Sequence, residues 1–167
     1  PEKICLIKAA STFSSPGFRE ILSPKFGNLD QVEPDIEADG STSDLNKSAL
    51  IMRTADCASL FLYETSSHKQ GLYHCGRAAM SPLDEFGTSN IVTMAYENFV
   101  SGIKNPNVHA FILGSICAGC FKHDDEMGQK CVSPFDRFGP KAFSDRKKGC
   151  LNIVEIIRSQ LIQMGLS

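Results

Sequence analysis

No apolar stretch in this 167-residue sequence approaches the roughly 20 residues that a membrane-spanning helix needs. The longest runs, Phe111 to Leu113 and Ile153 to Ile157 with its interrupting Glu155, fall far short. No membrane partner is therefore expected. Neither sign of charge is massed: 17 basic against 19 acidic residues, the basic ones scattered, leave a net charge of −2. That balance offers no electrostatic footprint for a nucleic-acid groove or an anionic lipid surface. The first residues lack a charged leader, a long apolar core and a small-residue cleavage site, so no secretory signal is expected. Internal repeats and low-complexity tracts are also absent. Small-molecule chemistry or protein contact remains.

What is present suits one compact domain over residues 1–167, since 42% hydrophobic and 22% charged residues fill one core and are too few for two ordinary ones. Seven cysteines, an odd number at irregular spacings, read as reduced thiols and imply a cytoplasmic compartment.

Lys3 to Ala10 is β-prone, and Ser15-Pro16-Gly17 ahead of Phe18, Ile21 and Leu22 predicts a short capped helix. The polar stretch 27–47 reads as loop. Ala49 to Met52, Ser59 to Tyr63 and Gly71 to Cys75 are short strands separated by polar turns. Ser89 is placed to cap a helix carrying Ile91, Val92, Ala95, Phe99 and Val100. Val108 to Leu113 follows as a buried strand. Leu151 to Met164, with Val154, Ile157, Leu161 and Met164 on one stripe and Gly165 as its stop, is the clearest helix. The stretch from Phe121 to Gly149, charged and punctuated by Gly and Pro, reads as an irregular excursion, with Asp124-Asp125-Glu126 as a solvated face or helix start. Helices and strands without regular alternation indicate an α+β fold.

Chemistry concentrates at two places. Thr54-Ala55-Asp56-Cys57 sets an acid beside a thiol at a strand boundary, and His74 stands near another strand end. If those ends adjoin, His74 either activates Cys57 as a nucleophile or joins it in holding a borderline-soft metal. Alternatively, Cys57 is a small buried hydrophobe and His74 a hydrogen-bonded core residue. The second cluster, Cys117-Ala118-Gly119-Cys120 with His123, has a spacing compatible with a zinc knuckle, a redox pair or incidental thiols. Arg77 suits a phosphate or carboxylate, or is a solvated surface residue. Arg53 lies either on the open face of a sheet or in a polar cavity. His68 and His109 have no constellation around them and are expected to face solvent or serve structure.

Read in order, Glu37-Ala38-Asp39-Gly40, Thr54-Ala55-Asp56-Cys57, Tyr73-His74-Cys75-Gly76, Gly114-Ser115-Ile116, Cys120-Phe121 and Gly165-Leu166 resemble successive landmarks of the laccase-domain family, once called multicopper polyphenol oxidases. The resemblance implies a four-layer α/β/β/α fold with mixed sheets. It also implies a zinc centre, with copper the metal of the older name, and activity on purine nucleosides: phosphorolysis and, in some members, deamination of adenosine. Carried over by position, Cys57 matches the metal-binding cysteine and His74 the second metal-binding histidine. Asp56 stands with Cys57 and His74 as a candidate catalytic residue, its alternative role being to hold the cysteine loop rather than act chemically. Arg77 with the Gly114-Ser115 turn would bind phosphate or sugar.

Three departures are visible. Ala9 and Ala10 stand where the first family histidine is expected. Gly76-Arg77-Ala78-Ala79 replaces Gly-Trp-Arg-Gly, removing the tryptophan and displacing the arginine. Gly114-Ser115 replaces a Gly-Pro turn and so removes a fixed dihedral. The expected function is accordingly a purine-nucleoside-acting metalloenzyme. Two other readings stand beside it: a Cys57/His74 hydrolase of an amide or peptidoglycan precursor, and a non-catalytic remnant that binds a nucleotide or a partner.

Overall fold

The computed structural model describes residues 3–8, 18–20, 36–37, 39–43, 48–52, 54–81 and 90–166. A five-stranded sheet lies at the centre of the fold. It is built from β2 (Phe18–Glu20), β4 (Gly40–Ser43), β6 (Ala58–Glu64), β7 (Gln70–Cys75) and β8 (Val108–Leu113) in the order β2-β4-β7-β6-β8. All its pairs are antiparallel except β2 with β4. A second, parallel sheet has the order β3-β1-β5, with β1 at Lys3–Lys8, β3 at Ile36–Glu37 and β5 at Ser48–Met52. Its β5 packs against β4 and β7. The opposite face of the large sheet receives α2 (Ile91–Val100) and α4 (Ile153–Gln163). Helix, sheet and sheet layers therefore stack as an α+β fold. No helix among the described residues is long and apolar enough to cross a membrane.

Because side chains alternate across a strand, Leu60, Leu62, Tyr73 and Cys75 all enter the core beneath the helices, where Ile91, Ala95, Phe99, Ile156 and Ile157 meet them. His74 is thereby turned to the other face. Helix α2 starts at Asn90, whose side-chain oxygen accepts from Val92 N at 2.9 Å and Thr93 N at 3.3 Å, satisfying two amides of the open first turn. The same buried side chain donates to Gln160 Oε1 and so ties α2 to α4. The cap is thus Asn90 rather than the expected Ser89, which lies outside the described residues. Helix α4 ends as its sequence predicts: Gly165 takes φ +90° and Leu166 N returns to Leu161 O at 3.0 Å.

Four further expectations are corrected. Phe18–Glu20 forms a strand rather than part of a helix, because its main chain pairs with β4. Val108–Leu113 is an edge strand of alternating exposure, with Phe111 and Leu113 about half exposed, because only one of its faces packs against α4. The stretch after Phe121 is ordered: α3 (Glu126–Val132), two 3-10 turns over Ser133–Phe138 and Pro140–Ala142, and β9 (Phe143–Asp145) paired with β10 (Cys150–Leu151). Asp125 starts α3 by accepting from Gly128 N at 2.6 Å. Val132, Phe135 and Phe138 recur every third residue, the period of a 3-10 helix, and the first two are fully buried. Arg146 clamps the segment through Asp136 and Gln129, and holds the Asp136 carboxyl below its ordinary range. Within the 27–47 stretch, β3 and β4 are strands that owe their order to neighbours distant in sequence.

Candidate functional site

Cys57 is the last residue before β6, and His74 is the last but one of β7. The antiparallel register opposes Ala58 to Cys75 and Ser59 to His74, which carries both residues to the same sheet end. The Cys57 thiol and the His74 ring both lie against Gly76. On the far side of β7 stands Asp39, immediately before β4 and only 3% exposed. Its carbonyl accepts from His74 N at 2.6 Å, and its carboxylate lies 3.4 Å from His74 Nδ1. With Nδ1 occupied by Asp39, Nε2 is the ring nitrogen left for chemistry on the Cys57 side.

The position of Gly76 fixes where the two groups meet. A Cβ there would stand 3.0 Å from His74 Nε2, 3.4 Å from Cys57 Sγ and 2.6 Å from His74 Cε1. Only glycine leaves room for ring and thiol together. Beyond it, Arg77 opens the short helix α1 (Arg77–Met80) and is half-buried. On the opposite side of the thiol, Asp56 O accepts from Ile116 N at 2.8 Å, which stitches the cysteine loop to the Gly114-Ser115-Ile116 turn. Gly114 takes φ +57° there, a conformation that favours glycine. The Ser115 hydroxyl donates to Ile116 O at 3.0 Å.

Of the residues singled out in the sequence, Cys57 and His74 are thus brought together at one end of the sheet. Asp56 is exposed and contributes its carbonyl to the loop tie. Arg77, Gly114 and Ser115 border the same end of the sheet through their chain neighbours. Asp39 was legible only as part of the Glu37-Ala38-Asp39-Gly40 landmark; its place behind His74 comes from the pairing of β4 with β7. Cys75, next to the site in sequence, points into the core, where burial pushes its thiol well above the usual range.

His68 is exposed and meets the Tyr63 hydroxyl at 2.7 Å, and His109 is exposed on β8. Arg53 and the Ala9-Ala10 position lie outside the described residues. The second cysteine cluster differs from the reduced thiols expected: Cys117 and Cys120 form a disulfide. His123 Nδ1 sits 3.2 Å from Phe121 O and 3.1 Å from Gly149 O, and so serves the backbone rather than that pair. A cleft of about 510 Å³ runs between β8 and α4, lined by Tyr96, Phe111, Arg158 and Leu161 among others, and contains none of Cys57, His74 or Asp39.

Asp39 first, then the Cys57 contact, raise the His74 pKa from 6.5 to about 9. A group whose folded pKa is raised contributes stability that is complete below its unfolded value. That contribution is lost as pH rises from about 6.5 through about 9. In Asp39→Asn the His74 value is expected to fall back toward 6.5, read from the imidazole proton resonances over pH 5 to 10. An unmoved titration would remove Asp39 from the site.

The chemistry of this donor set can be set against a zinc centre. Catalytic zinc is held by three protein donors with a fourth position open. Among the described residues no group of three or more His, Cys, Asp or Glu is arranged to hold a metal. Cys57 Sγ and His74 Nε2 are two donors, and Asp39 lies on the far ring nitrogen. The described residues therefore do not fit a catalytic zinc set; they fit a nucleophile, its acid-base partner and an orienting carboxylate.

Comparison with known proteins bears on the family and the fold. The family model described as "Multi-copper polyphenol oxidoreductase laccase" matches residues 20–167. Among solved structures, the chain is similar to YlmD from Geobacillus stearothermophilus, with TM-score 0.69 and 17% identity over 99% of this chain and 60% of that one. It is also similar to the hypothetical protein YfiH from Bacillus licheniformis, with TM-score 0.63 and 20% identity over 96% and 60%. A Neisseria meningitidis protein gives TM-score 0.58 and 20% identity over 78% of this chain and 50% of that one. At these identities the likeness is one of fold. The chain spans half to three fifths of the length of these structures. No curated protein matches the sequence.

Proposed function

The chain belongs to the multi-copper polyphenol oxidoreductase laccase family, and from that premise we propose that it acts on purine nucleosides through Cys57, His74 and Asp39. The family's description names copper, while the resemblance of motifs points to zinc and to nucleosides. The observation that carries the reading is the meeting of Cys57 Sγ and His74 Nε2 at Gly76 with Asp39 behind the ring.

A thiol beside an imidazole can react as a thiolate–imidazolium pair, which suits displacement at an electron-poor carbon, and C6 of adenosine is such a carbon. Cys57 adds to C6, and His74 gives its proton to the amino group, which leaves as ammonia. The purine remains bonded to sulfur. His74 Nε2, now neutral, takes a proton from water as the oxygen attacks C6 and the C–S bond breaks. Thiolate and imidazolium are restored, and the sum is adenosine plus water to inosine plus ammonia. The Asp39 carboxylate keeps the ring in one tautomer and supports its charge throughout. The reading assumes a reducing, cytoplasmic compartment, which the free thiols Cys57, Cys75, Cys131 and Cys150 support.

Arg77 favours a second reaction at the same site. A half-buried guanidinium one residue past Gly76 suits phosphate, whose attack at C1′ of the ribose would accompany protonation of the departing purine by His74. The test is turnover of adenosine and inosine, with and without phosphate, by chelator-rinsed protein of measured metal content. Phosphate-independent inosine and ammonia from metal-free protein are expected. Activity that tracks stoichiometric zinc would overturn the thiol chemistry. Failure to convert either nucleoside, with thiol-dependent cleavage of an amide in its place, would move the site to amide hydrolysis.

A further inference from the structure

The disulfide between Cys117 and Cys120 lies on the segment that leaves β8 beside the site. Both of its residues are exposed. Ala118 and Gly119 complete a single turn, in which Cys120 N donates to Cys117 O at 2.8 Å and Phe121 N to the same oxygen at 3.3 Å. Cys57, Cys75, Cys131 and Cys150 are free thiols in the same protein. Directly before the ring, Ile116 N holds Asp56 O, the carbonyl next to Cys57. Directly after it, Phe121 O accepts from Leu151 N at 3.4 Å, at the entry to α4. The ring thus sits in a short strap between the cysteine loop and the helical layer.

As a structural staple this bridge has little to do. It closes a loop across only two intervening residues, so it removes little entropy from the unfolded chain. The core beneath the helices is made without it. In a compartment that keeps other thiols reduced, the disulfides that persist are usually transient, catalytic or redox-sensing. Exposure leaves both sulfurs open to an attacking thiolate.

We propose that Cys117–Cys120 is a thiol–disulfide exchange site for dithiol reductants, and that opening it loosens the Asp56–Cys57 loop and so regulates access to Cys57. One thiolate of the dithiol attacks a ring sulfur; the S–S bond breaks and a mixed disulfide forms as one protein thiolate departs. The second thiolate of the reductant then attacks the reductant sulfur of the mixed disulfide, releasing the other protein thiolate and a cyclic disulfide. Two electrons pass from reductant to protein, and the two protons given up by the dithiol end on Cys117 and Cys120. With the ring open, the turn over residues 117–120 that directly follows Ile116 loses its covalent closure, and the cysteine loop tied to Ile116 gains freedom. This adds regulation to the site already described. It rests on the functional reading for its effect on turnover, but not for the exchange chemistry.

The test uses the full chain, air-oxidised or treated with dithiothreitol, followed by isotope-coded alkylation and peptide-resolved mass spectrometry. In the oxidised protein Cys117 and Cys120 are expected to resist labelling. After reduction both label, and the alkylation rate of Cys57 at fixed pH rises about threefold or more as its loop opens. The double variant Cys117→Ser with Cys120→Ser should match the reduced protein. If that variant loses its cooperative thermal transition, the reduced and re-oxidised forms of the unaltered chain decide the matter alone. Labelling of Cys117 and Cys120 before reduction, or a Cys57 rate indifferent to their state, overturns the proposal. Absence of nucleoside turnover with the Cys57 response intact defeats only the functional reading.

Discussion

Replacing Cys57 with alanine is expected to lower nucleoside turnover by about 10³-fold or more while leaving the thermal transition nearly unchanged. The size follows from the role: the thiol forms the bond to the substrate carbon, and no other described side chain is placed to substitute for it. The small structural cost follows from its position. Cys57 is half-buried at the end of a loop whose residues 54 to 56 are exposed, and its main chain, not its sulfur, leads into β6. Alanine leaves that path intact.

His74→Ala should cost a comparable factor, and the double variant little more, because thiol and imidazole act as one unit. Cys131→Ala, a free thiol on α3 away from Gly76, serves as the control and should retain activity. Purified Cys57→Ala that keeps turnover within tenfold of the unaltered chain would remove the nucleophile from its assigned place.

The second large effect is on stability. Phe135→Ala is expected to destabilise the fold by about 3–5 kcal/mol, from lost transfer energy and the cavity left by a fully buried ring. That is a large fraction of the roughly 5–15 kcal/mol by which a domain is stable. The variant is chosen because Phe135 sits in the segment whose sequence reads as an irregular excursion. If the segment were a solvated loop, the substitution would change the midpoint of chemical denaturation very little. A substantial fall in midpoint shows that the 3-10 turns are core, and an unchanged midpoint would return them to the surface.

Asp39 and Phe135 mark where local reading stops. His74 and Cys57 carry their chemistry in their residue types, and each stands at the end of a strand whose alternation is legible over a handful of residues. Asp39 is 35 positions from His74, and apart from its place in the Glu37-Ala38-Asp39-Gly40 landmark nothing local distinguishes it from the other acids of a polar stretch. It reaches the ring only because β4 pairs with β7. Likewise, Phe18–Glu20 has turn-forming residues before it and becomes a strand through a neighbour, not through its own preference. The three-residue spacing of Val132, Phe135 and Phe138 was present in the sequence, but that period is short, and Gly and Pro on either side pointed to loop.

By itself, the sequence determined the α+β class, the strands that carry Cys57 and His74, the α4 helix with its glycine stop, and the order of motifs that marks the family. These are properties of neighbouring residues: period, capping and spacing act over one or two turns of chain. Tertiary structure alone decided that Cys57 and His74 share one end of a sheet, that Asp39 stands behind the imidazole, and that the Cys117–Cys120 turn lies beside the cysteine loop. Those facts depend on strand register and sheet order, which arise from non-local burial and main-chain pairing that no single segment encodes.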